Sequence, residues 1–343
     1  MVVRSGWAAL AAVLALVVAG CGEKAEDEPG GPSRERLQVV LDYLPNPDHV
    51  GFYAAQRDGS YAKAGLDVEL RVPPDPSAPL KLLASRRADL VISYEPELLL
   101  ARARGLRAVS VAAVAQKPLT SIMSVDGKVP RPRDLAGKTV GTAGIPYQAA
   151  YLKTIAERAG IDPGSMRRVD VGFNLVPAML SGKADATLGA FWNIEGVELA
   201  RRDRRPAIIR MEQAGVPTYD ELVLVVRQDT LREKGNAVRR LVRAVAAGYR
   251  SAREDPAAAT RSLVAANPDL NQDTSLAQVR ASLPVFFPAT RGRPWGFQDA
   301  SEWRAYGQWM VRNGLLSRAS TDPSDALTNA YLPGQGLEED GPS

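Results

Sequence analysis

From residue 37 onward, short apolar runs alternate with stretches in which apolar positions recur every three or four residues. This alternation predicts strands and helices in turn, the pattern of a parallel α/β sheet. Residues 37–41 read as a strand and 50–64 as a helix stopped by Gly65. A second strand spans 66–72 and is closed by Pro73 and Pro74. A helix over 79–87, a strand over 88–93, a helix over 96–104 with Gly105 as its stop and a strand over 108–113 follow.

A similar scheme restarts after residue 134. A strand is expected over 139–141, a helix over 147–159 ending at Gly160, a strand over 168–171, a helix over 175–180 and a strand over 184–189. The two halves share a local echo. Leu83-Ala84-Ser85-Arg86-Arg87-Ala88-Asp89 matches Met179-Leu180-Ser181-Gly182-Lys183-Ala184-Asp185, each a helix end, a basic turn and an Ala-Asp pair entering an apolar strand. Two lobes of related topology are therefore expected. Residues 118–125 and 217–226 read as extended segments carrying the chain between them, followed by a long amphipathic helix over 235–253 and two further helical stretches. The expected division is 37–122 with 223–335 as a discontinuous first lobe and 123–222 as the second, leaving a ligand cleft that closes by hinge motion.

The first residues change the compartment. Arg4 precedes an apolar run over 7–19, too short to span a bilayer, and Val18-Ala19-Gly20-Cys21 follows. The tetrapeptide resembles a bacterial lipobox. Residues 1–20 are thus expected to be a signal peptide, Cys21 the lipidated residue, and 21–36, rich in Gly, Pro and charge, a flexible tether. Residues 336–343 read as a tail. The expected location is extracytoplasmic, with a lipid anchor in the cell membrane. Cys21 is the only cysteine, so the body has no disulfide framework and no thiolate metal site. A formal charge of +4 on 343 residues, with acids and bases interleaved, argues against nucleic-acid binding. The basic run over 201–205 contains no aromatic residue and reads as a solvated helix end.

The segment Leu41-Asp42-Tyr43-Leu44-Pro45-Asn46-Pro47-Asp48-His49 resembles the opening of the periplasmic binding proteins related to the yeast thiamine-pyrimidine synthase. The resemblance continues through Phe52-Tyr53-Ala54-Ala55, Ala64-Gly65-Leu66-Asp67-Val68, Ser93-Tyr94-Glu95-Pro96-Glu97, Phe191-Trp192-Asn193-Ile194-Glu195-Gly196 and Asp325-Ala326-Leu327-Thr328-Asn329. It implies a type II periplasmic binding protein fold. It also implies the role of solute-binding component of an ABC importer, handing a thiamine pyrimidine precursor such as formylaminopyrimidine or hydroxymethylpyrimidine to a permease and its ATPase. Riboflavin and sulfonates are the solutes of other relatives. Tyr43 stands where the family usually has tryptophan.

A 4-aminopyrimidine presents two flat faces, an exocyclic amine, ring acceptors and a methyl group. Aromatic walls, a carboxylate and short polar groups suit it, and strand ends supply them. Tyr43, Asn46 and His49 follow the first strand, Ser93, Tyr94 and Glu95 the third, and Phe191, Trp192, Asn193 and Glu195 the matching strand of the second half. Gly144 and Tyr147 belong to a small-residue loop whose amides suit an oxygen of the ligand. The competing reading is catalysis, since the yeast relatives make the pyrimidine with a pyridoxal cofactor. The cysteine-rich motif of those synthases is lacking here. A single histidine without a serine elbow or metal-ligand cluster further disfavours an enzyme. The expectation is a monomeric binder that needs no cofactor and no metal.

Overall fold

The structure is a computed structural model that describes residues 34–317 and 322–334. The lipobox, Cys21 and nearly all of the tether lie outside the described residues, as does the tail. The expected tether runs two residues past its structural end, because Glu35 and Arg36 already pair with the neighbouring strand.

The first sheet is built from β1 (Glu35–Val40), β2 (Leu66–Arg71), β3 (Leu90–Ser93), β4 (Ala108–Ala115) and β10 (Leu222–Arg227), in the order β2-β1-β3-β10-β4. The second contains β5 (Thr120–Val125), β6 (Thr139–Thr142), β7 (Arg167–Asp170), β8 (Ala186–Phe191) and β9 (Pro206–Arg210), in the order β7-β6-β8-β5-β9. The two orders are the same once corresponding strands are matched. In each sheet three parallel strands are followed by one antiparallel strand that arrives from the other half of the chain. Between the parallel strands lie α1 (Val50–Arg57), α2 (Ser60–Lys63), α3 (Pro79–Ala84) and α4 (Glu95–Ala103) in the first lobe. The second lobe has α5 (Gln148–Ala159), α6 (Leu175–Leu180) and α7 (Glu195–Arg201). The chain returns to the first lobe and ends with α8 (Gln228–Glu254), α9 (Pro256–Ala266), α10 (Gln272–Ser282) and α11 (Ala300–Arg312).

The sequence echo is one structural device used twice. Asp89 accepts the amide of Gln38 at 2.9 Å and returns its own amide to the Gln38 carbonyl. Asp185 does the same with Thr139, at 3.0 Å and 2.8 Å. The aspartate thus completes the hydrogen-bonding edge where a parallel strand begins. The turn before it needs a left-handed residue, which is Arg86 at φ 61° in one lobe and Gly182 at φ 76° in the other.

Three further expectations differ from the structure. The helix over 50–64 is two helices, because Gly59 turns left-handed at φ 68°. The long helix starts seven residues earlier than expected, at Gln228, and bends at Lys234, whose ammonium pairs with Asp89 at 2.8 Å. Residues 120–125 are not a connection but a strand of the second sheet, and the expected lobe boundary at 122 falls inside it. All six residues of β5 are buried despite two serines. The hydroxyls of Ser121 and Ser124 reach the carbonyls of Ala190 and Val129, so their burial leaves no donor unpaired. In the first lobe α1 and α8 approach until a Cβ on Gly248 would meet the Gly51 carbonyl oxygen at 2.0 Å. Only glycine permits that contact.

Candidate functional site

A cavity of about 240 Å³ lies between the two sheets. Its walls come from the loops that follow β1 and β3 in the first lobe and β6, β7 and β8 in the second, all at the carboxyl ends of parallel strands. Of the residues expected at the site, Tyr43, Asn46, Tyr94, Tyr147, Phe191 and Glu195 line it. Asp42, Gln148, Phe173 and Gly189 line it as well and were not singled out in the sequence.

The first lobe contributes an oriented carboxylate. Asp42 is buried, with Oδ2 accepting from the Tyr94 hydroxyl at 2.9 Å and Oδ1 facing His49 Nε2 at 2.8 Å. The other ring nitrogen, Nδ1, accepts the Asn46 amide at 3.2 Å, so the ring proton sits on Nε2 and is donated to Asp42. Tyr43 sets its ring edge-on to Phe173, with centroids 4.3 Å apart, which joins the two lobes through an aromatic contact. Its hydroxyl is buried without a partner. Burial, with the charges of Glu195 and Asp42 nearby, raises its pKa far above that of a free phenol.

The second lobe contributes a second carboxylate and a fixed donor. Glu195 begins α7, and its Oε2 accepts the Phe191 amide at 2.7 Å. Loss of water pushes its pKa up to about 7, against the pull of the Phe191 amide and of its own. Gln148 is buried, and its Oε1 accepts the Ala143 amide at 3.0 Å. That bond fixes the amide, leaving Nε2 beside Gly189 with no protein acceptor among the described residues. Gly189 has φ 118°, and a Cβ there would lie 2.6 Å from Gln148 Nε2. The strand backbone is therefore bare where the donor sits. The carboxylates of Asp42 and Glu195, with that of Glu198 paired to Arg202 at 2.7 Å, the Gln148 donor and the unpaired Tyr43 phenol around aromatic walls form a cavity suited to a flat polar ring.

The other expected residues lie elsewhere. His49 is an orienting group behind Asp42 and not part of the wall. The Ser93 hydroxyl donates to Glu97 Oε2 at 2.7 Å. Glu95 is buried towards the crossover that returns to the first lobe, where its Oε2 accepts the Asp220 amide at 2.8 Å. Gly144, at φ 77°, faces a separate cavity of about 430 Å³ shared with Leu80, Leu100 and Pro146. Trp192 donates its Nε1 hydrogen to the Pro118 carbonyl at 3.1 Å, with the Arg210 guanidinium 4.1 Å from its ring centroid. Asn193 is wholly buried in a contact with the first lobe. Strand ends bring residues into the cleft region, but successive side chains point to different sides, and a one-residue difference separates Tyr94 from Ser93 and Glu95.

Asp42 stood in the quoted opening segment, directly after the first strand, and Phe173 follows the end of β7, so the strand-end rule reaches both. Gln148 had no local signal. It is the first residue of a helix, and only the fold puts Gly189 against it.

The family model described as "NMT1/THI5 like" matches residues 46–259. A formylaminopyrimidine-binding protein of Halalkalibacterium halodurans is 34% identical over 312 residues, covering 90% of this chain and 93% of that protein. A 4-amino-5-hydroxymethyl-2-methylpyrimidine phosphate synthase of Saccharomyces cerevisiae is 24% identical, covering 88% of each chain. Among solved structures, the periplasmic aliphatic sulphonate binding protein of Escherichia coli superposes with a TM-score of 0.67 at 14% identity, covering 87% of this chain and 99% of that one. The periplasmic nitrate-binding protein of Synechocystis does so at 0.63 and 14%, covering 88% of each. The fold is thus that of the periplasmic binding proteins, two α/β lobes around a cleft.

Proposed function

Given that the chain belongs to the NMT1/THI5-like family, we propose that it is the solute-binding component of an ABC importer and that its solute is a thiamine pyrimidine precursor. The observation that carries this reading is the interlobe cavity itself. Asp42 and Glu195 offer acceptors to an exocyclic amine, Gln148 Nε2 offers a donor to a ring nitrogen or carbonyl, and Tyr43 with Phe173 and Phe191 offers flat apolar walls. A volume of about 240 Å³ suits one small ring with short substituents better than a flavin.

Binding explains the lining better than synthesis does. A pyridoxal cofactor is held as a Schiff base by a lysine, and none of the described residues lining this cavity is a lysine. The residues do not fit that group. The solute docks on one lobe, the other closes over it, and the closed surface is what the permease distinguishes from the open one. The lipid anchor on Cys21 places this step outside the cell at the membrane surface. Cys21→Ser should release the folded protein from the membrane fraction, and a variant that stays membrane-bound after a salt wash would refute the anchor.

The solute is tested by thermal melts and calorimetric titration with formylaminopyrimidine, hydroxymethylpyrimidine, riboflavin and taurine. A ligand of the folded state raises the melting temperature by mass action. The pyrimidines should do so. A shift with riboflavin or taurine and none with the pyrimidines would overturn the solute assignment while keeping a binding protein.

A further inference from the structure

Asn193 follows β8 in the second lobe, yet its side chain is spent on the first. Its Nδ2 donates to Asp48 Oδ1 at 2.7 Å and to Ser282 Oγ at 2.7 Å, so both amide hydrogens are used. Asp48 lies in the short 3₁₀ turn Pro47–His49 after β1, and Ser282 ends α10. All three residues are fully buried, and none lines the ligand cavity. The same seam continues with Gln278 Nε2 donating to the Ile194 carbonyl at 2.9 Å and Arg201 Nε to Thr274 Oγ1 at 3.2 Å. The segment that carries Glu195 is thereby docked onto α10.

Two oxygens in this contact are left over. Asp48 Oδ2 and Asn193 Oδ1 are both buried and have no hydrogen-bond partner. Both are acceptors while Asp48 is ionised, so neither can satisfy the other. A proton on Asp48 Oδ2 supplies the one missing donor, and Asn193 Oδ1 is the one missing acceptor. We propose that Asp48 is a neutral acid that forms a two-point acid–amide pair with Asn193, and that this pair is the clasp holding the lobes closed.

The surroundings favour the neutral form. The groups facing Asp48 are the amide of Asn193, the hydroxyl of Ser282, and the Tyr249 hydroxyl, which donates to the Asp48 carbonyl. The neighbouring ring of His49 is turned to Asp42, and the nearby charges are the carboxylates of Asp42 and Glu195. Burial, with those like charges, raises the Asp48 pKa well above the usual carboxylate range. Opening the seam returns Asp48 to water and to the ordinary carboxylate range, well below neutral pH. At neutral pH, closure therefore takes one proton from solvent onto Oδ2, and opening gives it back. Asp48 and Asn193 are positioning residues, since they act on the solute only through closure.

The inference rests on the binding-protein reading in one respect, that the closed form is the loaded one. Its test has a ligand-free arm for that reason. In the ligand-free protein at neutral pH, X-ray scattering should show Asp48→Asn more closed than the wild type, because its amide makes the clasp without a proton from solvent. Infrared difference spectra of the two solute-loaded proteins should show a protonated carboxyl band that only the wild type has. For the loaded protein, titration of formylaminopyrimidine in buffers of different ionisation enthalpy measures proton uptake on binding. The wild type should take up about one proton more than Asp48→Asn, whose amide reproduces both hydrogen bonds of the neutral acid. Asp48→Asn should keep its affinity at about pH 7.5, whereas Asn193→Ala should weaken binding roughly tenfold or more, mainly through faster dissociation. If Asn193→Ala does not fold, Ser282→Ala serves as the weaker probe of the same seam. A ligand-free Asp48→Asn no more closed than the wild type, no protonated carboxyl band in the loaded wild type, equal proton uptake in the two proteins, or a loss of affinity in Asp48→Asn as large as that in Asn193→Ala would overturn the clasp. Failure of all four solutes to bind would overturn the solute assignment and leave the ligand-free scattering comparison to judge the clasp.

Discussion

Replacing Glu195 by glutamine isolates the charge that the proposed function needs. The native Oε2 accepts the Phe191 amide at 2.7 Å, and a glutamine Oε1 can take over that bond. The fold at the start of α7 is therefore kept. What changes is the group facing the cavity, from an acceptor to an NH₂ donor, so the exocyclic amine of a bound pyrimidine would meet another donor. A hydrogen bond to a charged group contributes about 1.5–3 kcal/mol, which is about ten- to 150-fold in Kd. The measurement belongs at about pH 8, because burial pushes the Glu195 pKa up to about 7 and the carboxylate must be ionised for the comparison. Calorimetric titration of both proteins with formylaminopyrimidine should show that loss. An analogue with a dimethylated amine should bind the two proteins with nearly equal affinity. A folded Glu195→Gln protein with wild-type affinity would mean that the amine is read elsewhere, with Asp42 and Glu198 as the remaining carboxylates of the wall.

Gly189→Ala should weaken solute binding at least tenfold, since the new methyl would sit 2.6 Å from Gln148 Nε2 in a left-handed backbone; unchanged affinity would remove Gln148 from the site. Trp192→Ala should lower the melting temperature while leaving Kd within about threefold, because the ring supports the Pro118 carbonyl and Arg210 and not the solute. Stability should also depend on pH in an unusual direction. Burial pushes Glu97, Glu195, Asp220 and Glu221 up to about 7, so the folded protein holds protons that the unfolded chain has already lost above about pH 4.5. Their stabilising contribution is complete below that pH and is lost as the pH rises through about 7. The ligand-free melting temperature should thus be higher at about pH 5.5 than at about pH 7.5, and a flat or opposite profile would show these carboxyls to be ionised in the fold.

Much of this protein was legible along the chain. Apolar periodicity and glycine stops located most strands and helices of both lobes, though not β5 and β9, because those signals are local: burial on a strand or a helix face dictates residue type at the spacing of that element. The Ala-Asp echo announced the repeated topology, since the aspartate is required by the backbone amide one strand away, in Gln38 and again in Thr139. Strand ends even pointed to Tyr43, Tyr94 and Glu195. The tertiary structure alone decided which side chain at each strand end lines the interlobe cavity. His49 turned out to serve Asp42, Glu95 to serve the hinge-side crossover at Asp220, and Asn193 to join the lobes at Asp48 and Ser282. Gln148 entered the wall from a helix start that carries no signal, since its partner Gly189 is 41 residues away in sequence. Local spacing can place a residue near a cleft. Which way its side chain points, and whose hydrogen bond it completes, depends on contacts between segments far apart in the chain, and only packing of the two lobes sets those.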